Sequence, residues 1–256
     1  MKELALITGA SSGIGLDIAR SLARRGFDLI VAARREDRLL ALKQELQEAH
    51  KVQVHVLATD LSRPEAAAEL HRRSLSLGEV TALINNAGFG IKGPFLHHDP
   101  AELRNMLQVN MTSLSELTRL FLPAMVQQRH GYVLQVSSIG AFQPSPDYAA
   151  YSATKSYVLS FSYALNRELS GTGVSVTTVC PGITETEFHE VARHEKSAFL
   201  KMMNMKSADV AEMSVKAMLA RRAILIPGFL NKVNSLLMES MPRWLSTAIA
   251  GAAVRE

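Results

Sequence analysis

Short apolar runs alternate with longer amphipathic stretches along the whole chain. Each run is too short for a helix, and most are rich in Val, Ile or Leu, which is typical of buried strands. The seven runs are residues 4–8, 29–33, 52–57, 82–85, 132–136, 174–179 and 223–226. The amphipathic stretches have helical length and cover residues 13–25, 37–49, 64–76, 101–128, 151–170 and 208–220.

This alternation predicts the fold class. Strands that are apolar on both faces and are joined by helices form a parallel sheet covered on both sides, through right-handed crossovers. We therefore expect an α/β fold, a Rossmann-type doubly wound parallel sheet of about seven strands. A chain of 256 residues is long enough for one such domain with a large core and short for two, so the prediction is a single domain over residues 1–256.

Composition and charge disfavour several classes of protein. The apolar fraction of 47% and the charged fraction of 20% are ordinary for a soluble protein. The net charge is +4, but Lys and Arg are interleaved with Asp and Glu, so we expect no nucleic-acid partner. No apolar run approaches the roughly 20 residues of a membrane span. The start of the chain lacks the pattern of a signal peptide, and the single cysteine, Cys180, agrees with a reducing compartment, so the expected location is cytoplasmic.

Motifs typical of ligand-binding or catalytic sites follow several of the predicted strands. The carboxyl ends of such strands border the ligand crevice of a doubly wound sheet. After the first run, Gly9 to Gly15 have the spacing Gly-x-x-x-Gly-x-Gly, which allows a tight bend and lets the backbone approach a pyrophosphate at a helix amino terminus. The later runs are followed by Asn85-Asn86-Ala87-Gly88, by Ser137-Ser138 and by Pro181-Gly182. We expect all of these to converge on one crevice.

Tyr151 and Lys155 lie four residues apart in Tyr-Ser-Ala-Thr-Lys and share one face of a predicted helix. A phenol has a pKa near 10 and exchanges its proton readily at neutral pH only when a nearby cation stabilises the phenolate. Lys155 is placed to be that cation and to lower the pKa of Tyr151. Taken alone, the pair is weak evidence for catalysis, because Tyr and Lys at this spacing occur by chance on many solvated helices.

Together, these motifs resemble the short-chain dehydrogenase/reductase family. The glycine pattern, Asn-Asn-Ala-Gly, a serine, Tyr-x-x-x-Lys and Pro-Gly occur in the family's order between residue 3 and about residue 186. The resemblance implies that Tyr151 is the proton donor or acceptor, that Ser138 binds the substrate carbonyl, and that Lys155 holds the nicotinamide ribose. It also implies that Asn110, in Val-Asn-Met-Thr, helps to hold a water that links the lysine to solvent.

The end of the second predicted strand favours NADP(H). A carboxylate about 20 residues beyond the glycine turn binds the 2′-hydroxyl of NAD, whereas arginine accommodates the 2′-phosphate of NADP. Arg34 and Arg35 stand there, and Glu36 and Asp37 fit better as first-turn acids of the next helix. The cofactor residues implied by the resemblance are Gly9, Ser11, Ser12, Gly13, Ile14, Gly15, Arg34, Arg35, Asp60, Leu61, Asn86, Ala87, Gly88, Tyr151, Lys155, Pro181, Gly182, Thr184 and Thr186.

Residues 187–206 are expected to form a substrate lid, which carries Val191, Phe199, Leu200, Met202, Met203 and Met205. Methionine suits irregular apolar ligands, although the same stripe would fit the packed side of a helix. A lid facing the crevice predicts an apolar carbonyl substrate such as a 3-oxoacyl chain, a steroid or another hydrophobic ketone. His97 and His98 lack the partner spacing of a zinc site, so we expect no metal.

Two other functions and the role of the tail stay open at this stage. The chain could be an NAD(P)-dependent dehydrogenase of a small polar alcohol or hydroxy acid, or a dinucleotide-sensing regulator without catalysis, because one fold hosts many functions. Residues 227–256 extend past the family core, and residues 244–254 are apolar enough for a surface-seeking helix or for a segment packed on the body or on a second subunit. The resemblance implies a homodimer or homotetramer formed through the two long helices.

Overall fold

A computed structural model describes residues 2–185 and 204–255. Seven parallel strands form the main sheet, in the order β3-β2-β1-β4-β5-β6-β9, and β7 pairs with β8 in a separate parallel ribbon. The strands are β1 Leu4–Thr8, β2 Asp28–Ala33, β3 Val54–Ala58, β4 Val80–Asn85, β5 Gly131–Val136, β6 Val174–Val179, β7 Thr184–Glu185, β8 Met205–Lys206 and β9 Ile224–Leu225. This order confirms the predicted Rossmann-type sheet.

Helices cover both faces of the main sheet. They are α1 Gly13–Ala23, α2 Glu36–His50, α3 Ala66–Ser74, α4 Pro100–Leu107, α5 Leu114–Gln127, α6 Ala149–Glu168, α7 Ser207–Leu219, α8 Phe229–Ser240 and α9 Arg243–Arg255. Short 3₁₀ turns occur at Phe95–His97 and Ile139–Ala141. Within the described parts of the chain, no helix is both long enough and apolar enough to cross a membrane.

Two apolar cores, one on each face, account for the doubly wound arrangement. On β1, Ile7 belongs to the core that α1, α2 and α7 cover, whereas its neighbour Leu6 belongs to the core that α3 and α5 cover. All five residues of β1 are buried, because a central parallel strand has helices on both sides. The carboxyl ends of β1, β4, β5 and β6 therefore lie side by side at one edge of the sheet.

The helical stretch predicted over residues 101–128 is confirmed, but its middle is not α-helical. A π-helical turn, Gln108–Ser113, separates α4 from α5. Such turns use hydrogen bonds between residues five apart and often occur at functional sites. Asn110 lies in the middle of this turn and is fully buried, so the wider turn brings a polar side chain towards the carboxyl edge of the sheet.

The start of α7 is fixed to α1 by polar contacts. The Ser207 hydroxyl donates to the Asp17 carboxylate. Further along α7, Glu212 accepts a hydrogen bond from Ser21 at 2.8 Å and forms an ion pair with Arg25. The Arg25 guanidinium and the Ser21 hydroxyl hold the pKa of Glu212 well below its usual range. The segment that follows β8 is thereby held against the helix that follows the glycine turn.

The helix α8 is polar on its buried side and apolar on its exposed side. Its buried residues are Asn231 and Ser235. In contrast, Phe229 is 79% exposed and Leu236 is 53% exposed, and Trp244 at the start of α9 is 74% exposed. This is the reverse of the usual pattern for a surface helix.

Candidate active site

The ends of β1 and β4 are joined by hydrogen bonds between Thr8 and Asn86. The Thr8 hydroxyl accepts from the backbone N–H groups of Asn86 and Ala87, both at 3.0 Å. The Asn86 side-chain amide donates to the carbonyl oxygens of Thr8 and Gly9 at 3.0 and 3.2 Å. Thr8 opens the glycine motif in the sequence, but its role as the bridge between two strand ends was not predicted.

The glycine turn after β1 is closely packed, which suits the approach of a dinucleotide. Gly9 has φ +68°, and a Cβ atom at Gly15 would lie 2.3 Å from the Asn86 Nδ2 atom and 2.5 Å from the Gly9 carbonyl oxygen. Ser12 precedes α1 in an extended conformation and its side chain forms no cap on the helix, so N–H groups in the first turn of α1, at Gly13 and Ile14, are the donors that a pyrophosphate would use. The residues present therefore fit a nicotinamide dinucleotide.

Positive charge lies beside this turn at the end of β2. The Arg35 guanidinium donates to the Ser12 hydroxyl at 2.8 Å and to the Ser11 hydroxyl at 3.2 Å. Arg34 is exposed next to it. Glu36 and Asp37 lie in the first turn of α2, as the sequence predicted, so they act as the acidic start of that helix.

The loop after β3 is fastened to the π-helical turn. Asp60 Oδ1 accepts from the Ser62 backbone N–H at 3.1 Å and from the Ser62 hydroxyl at 2.8 Å. Leu61 is buried, and its carbonyl oxygen accepts from the Ser113 hydroxyl at 2.8 Å. Asp60 and Leu61 are thus held at the same edge of the sheet as the glycine turn.

Ser138 and Tyr151 are hydrogen-bonded to each other through their side chains. Ser138 follows β5, and its hydroxyl accepts from the Gly140 backbone N–H at 3.1 Å. Tyr151 lies in the first turn of α6. Burial raises the pKa of Tyr151 to about 12, and the bond to Ser138 offsets only part of this effect. The direction is opposite to the one expected from a nearby ammonium, because burial of the phenol outweighs the favourable contacts.

Lys155 is buried at the same place. Its side-chain ammonium, Nζ, donates to the Val136 carbonyl oxygen at 2.9 Å and lies 5.7 Å from the centre of the Tyr151 ring. Burial lowers the pKa of Lys155 to about 8. Cys180 is fully buried nearby, and burial raises the pKa of its thiol to about 12, so the thiol remains neutral.

Asn110 connects the loop after β4 with α6. Its Oδ1 atom accepts from the Phe89 backbone N–H at 3.1 Å, and its Nδ2 atom donates to the Phe89 carbonyl oxygen at 2.9 Å and to the Thr154 hydroxyl at 3.1 Å. A Cβ atom at Gly88 would lie 3.1 Å from Asn110 Oδ1 and 3.3 Å from Lys155 Nζ. Gly88, Asn110 and Lys155 therefore meet. Thr154 was missed by the sequence analysis although it precedes Lys155.

The turn after β6 lies beside Ser138. The Ile139 backbone N–H donates to the Pro181 carbonyl oxygen at 3.0 Å, and the Thr184 hydroxyl donates to the Gly182 carbonyl oxygen at 3.0 Å. Thr186 and residues 187–203 of the expected lid lie outside the described residues. The buried Asn231 of α8 packs against this turn and had no signal in the sequence patterns considered.

Comparison with known proteins places this geometry in a family. Residues 3–197 match the model of the short chain dehydrogenase family. Sulfoacetaldehyde reductase of Chromohalobacter salexigens is 38% identical over 73% of this chain and 75% of its own length. Very-long-chain 3-oxoacyl-CoA reductase of Meyerozyma guilliermondii is 34% identical over 75% of this chain and 60% of its own length.

A solved structure gives the same result. The short-chain dehydrogenase from Sphingobium yanoikuyae in complex with NADPH superposes with a TM-score of 0.82 and 32% sequence identity, and the match covers 94% of this chain and 96% of that one. The seven-stranded parallel sheet agrees with this match. The chain belongs to the short-chain dehydrogenase family of oxidoreductases, which interconvert carbonyl and alcohol groups.

Proposed function

We propose that this protein is an NADP(H)-dependent oxidoreductase that interconverts a carbonyl and a secondary alcohol on an apolar substrate. The observation that carries the proposal is the hydrogen bond between Ser138 and Tyr151 beside the buried ammonium of Lys155. These three groups and Asn110 line the carboxyl edge of β4, β5 and β6, next to a turn that fits a dinucleotide.

The side chains divide the work on the carbonyl oxygen. A bound reduced nicotinamide supplies a hydride to the carbonyl carbon. The Ser138 and Tyr151 hydroxyls donate hydrogen bonds to the oxygen, on which negative charge develops, and Tyr151 passes its proton to that oxygen. Because burial raises the pKa of Tyr151 to about 12, the phenol is fully protonated at neutral pH and ready to act as an acid. The Lys155 ammonium stabilises the phenolate that remains.

Asn110 acts on the surroundings of Lys155. Asn110 hydrogen-bonds both backbone groups of Phe89 and so fixes the chain just beyond Gly88. Because Gly88 has no side chain, the Lys155 ammonium has room on that side. The bond from Asn110 to Thr154 links this loop to α6 next to Lys155. We propose that a water held at Asn110 returns a proton to Tyr151 through Lys155.

The preference for NADP(H) rests on Arg35, Ser11 and Ser12. The planar guanidinium at the end of β2 and the two hydroxyls of the glycine turn after β1 are suited to a phosphate dianion. The carboxylates that follow, Glu36 and Asp37, are part of α2. The similarity to a dehydrogenase solved with NADPH supports the same preference.

The proposed substrate is an apolar ketone. The similarity to a very-long-chain 3-oxoacyl-CoA reductase supports this choice, as do the apolar residues Phe199, Leu200 and Met202 within residues 187–206, which we propose as the lid. The similarity to a sulfoacetaldehyde reductase favours a second candidate, a small polar aldehyde. A panel of carbonyl compounds graded from small and polar to long-chain and steroidal separates the two by their kcat/KM values.

Substitution of Tyr151 by Phe tests the proposed acid. We expect kcat for carbonyl reduction to fall about 10²- to 10⁴-fold, because a positioned proton donor contributes a factor of that size. The matched control is Tyr163→Phe, about three turns further along the same helix, where the residue is 46% exposed. NADPH oxidation followed by absorbance gives both rates, and a Tyr151→Phe enzyme that turns over like the control would refute the assignment.

Substitution of Arg35 by Ala tests the cofactor preference. Loss of a charge-assisted contact of about 1.5–3 kcal/mol should raise KM for NADPH about 10- to 100-fold. KM for NADH should change little, because NADH carries no 2′-phosphate. The NADH measurement also controls for any effect of losing the Arg35 hydrogen bonds to Ser11 and Ser12. Arg34→Ala is measured in parallel, to show how much of the rise in KM for NADPH each arginine accounts for. Equal increases for both cofactors would show that Arg35 does not read the phosphate.

We further propose that two copies associate through the outer face of α5 and α6. The Tyr157 ring is 37% exposed on α6, stacks on Phe161 at 5.8 Å and bonds to Ser115 of α5 at 2.9 Å, and rigid aromatic groups are enriched in interfaces. Light scattering coupled to gel filtration should give a multiple of 28.0 kDa, and Tyr157→Glu should lower it. A mass of 28.0 kDa for the unmodified chain would exclude this assembly.

A further inference from the structure

The side chain of Asn231 fills the space beneath the Pro181–Gly182 turn. Asn231 is 2% exposed although it lies in the first turn of α8, in the C-terminal extension. A Cβ atom at Gly182 would lie 2.5 Å from its Oδ1 atom, 2.6 Å from its Nδ2 atom and 2.7 Å from its Cγ atom. The amide therefore packs directly against the backbone of the turn, at a position where only glycine leaves room.

The same amide joins two other segments to the turn. Its Nδ2 atom donates to the Pro227 carbonyl oxygen at 2.9 Å and contacts the Met205 sulfur at 3.9 Å. Gly228, with φ +86°, brings the start of α8 within reach, since a Cβ atom there would lie 3.0 Å from Nδ2. Asn231 is thus the contact shared by the turn after β6, the strand β8 and the start of α8.

The choice of an amide at this position is informative. Burial of an amide costs free energy unless the group is hydrogen-bonded, and an apolar residue of similar size is the ordinary occupant of a buried helix position. The helix nevertheless exposes Phe229, Leu236 and Leu237 and buries Asn231. The polar contacts of Asn231 therefore specify how α8 meets the turn.

The turn lies where the nicotinamide end of a dinucleotide must be. The Pro181 carbonyl oxygen accepts from the backbone of Ile139, the residue after Ser138. The carbon that gives or receives hydride must come within about 3–3.5 Å of the carbon whose oxygen Ser138 and Tyr151 bind. The glycine turn lies two strand positions from β5, on β1, so it serves the phosphate end of the cofactor.

We propose that Asn231 is a positioning residue for the nicotinamide end of the cofactor, acting through the Pro181–Gly182 turn and thereby coupling the C-terminal extension to the reaction site. This inference rests on the proposed use of NADP(H). The inference assigns to α8 a role in fixing one end of the cofactor only. Loss of the Asn231 side chain should therefore leave the binding of the phosphate-bearing end intact.

The test compares two ligands on the full-length protein by calorimetry. NADPH carries the nicotinamide, and 2′-phospho-ADP-ribose lacks it but keeps the groups that the glycine turn and Arg35 would bind. For Asn231→Leu we expect Kd for NADPH to rise about tenfold, as for the loss of one hydrogen-bonded contact, with Kd for 2′-phospho-ADP-ribose unchanged. The ratio of the two Kd values is the decisive quantity.

The matched control is Ser235→Ala, one turn further along the buried side of α8, where Ser235 is 1% exposed. This variant should keep the ratio of the unmodified protein. If Asn231→Leu fails to fold by thermal melting, Asn231→Asp decides the question, because it keeps the shape and replaces the donor that faces the Pro227 carbonyl oxygen.

Each outcome has a definite meaning. A rise of about tenfold in the ratio of Kd for NADPH to Kd for 2′-phospho-ADP-ribose, in the Asn231 variant alone, supports the inference. Equal weakening of both ligands, or an unchanged ratio, overturns it. If the unmodified protein binds neither ligand, the proposed NADP(H) function fails regardless of what Asn231 does. If it binds both ligands equally well, the nicotinamide end is not held and the inference is overturned.

Discussion

The burial of the Lys155 ammonium is the constraint on which the rest of the site depends. A buried charge is costly unless it is paired, yet the contact that Nζ makes is with the Val136 carbonyl oxygen at the end of β5, at 2.9 Å. The remaining cost is visible in the pKa of Lys155, which burial lowers to about 8. Burial and, in the opposite direction, Cys180 are the causes of this shift, and no carboxylate is among them. The ammonium charge beside Tyr151 is therefore available to stabilise a phenolate.

The surrounding residues are arranged to hold this lysine. The Ser137 hydroxyl donates to the Lys155 backbone carbonyl at 2.8 Å, and the absence of a side chain at Gly88 leaves space near Nζ. Asn110 then fixes the loop beyond Gly88 by bonding Phe89. Because these bonds join neighbouring strand ends and helices, the groups that we propose to act on the carbonyl oxygen are held in place before a substrate arrives, which is the condition for electrostatic catalysis.

The sequence was sufficient for the sheet and for the grouping of the main polar residues. Strand periodicity and the strand-helix alternation predict all seven strands of the main sheet, β1 to β6 and β9. Motifs that follow parallel strands must meet at one edge. The π-helical turn was not predictable from periodicity, since residues 101–128 keep a continuous apolar pattern while the turn inserts only a local widening around Asn110. The ribbon of β7 and β8 has two residues in each strand, too few for any pattern.

The rise in the pKa of Tyr151 and the burial of Asn231 were not predictable from the sequence pattern. Sequence spacing places a cation near the phenol but cannot weigh that cation against burial, which raises the pKa of Tyr151 to about 12. Helix α8 buries Asn231 and Ser235 and exposes most of its large apolar residues, which is the opposite of the orientation that its apolar pattern predicts.

The pH dependence of kcat/KM for NADPH tests the central claim, because this constant reports ionisations of the free enzyme. The pKa of Lys155 is lowered to about 8, so the reactive, charged form is lost as pH rises through that value, whereas Tyr151 keeps its proton until about pH 12. We predict a constant that is level below pH 8 and falls above it, with the fall absent in a Lys155→Arg variant that cannot lose its charge. A level profile in the unmodified protein from pH 7 to about 10, or the same fall in the Lys155→Arg variant, would contradict the account.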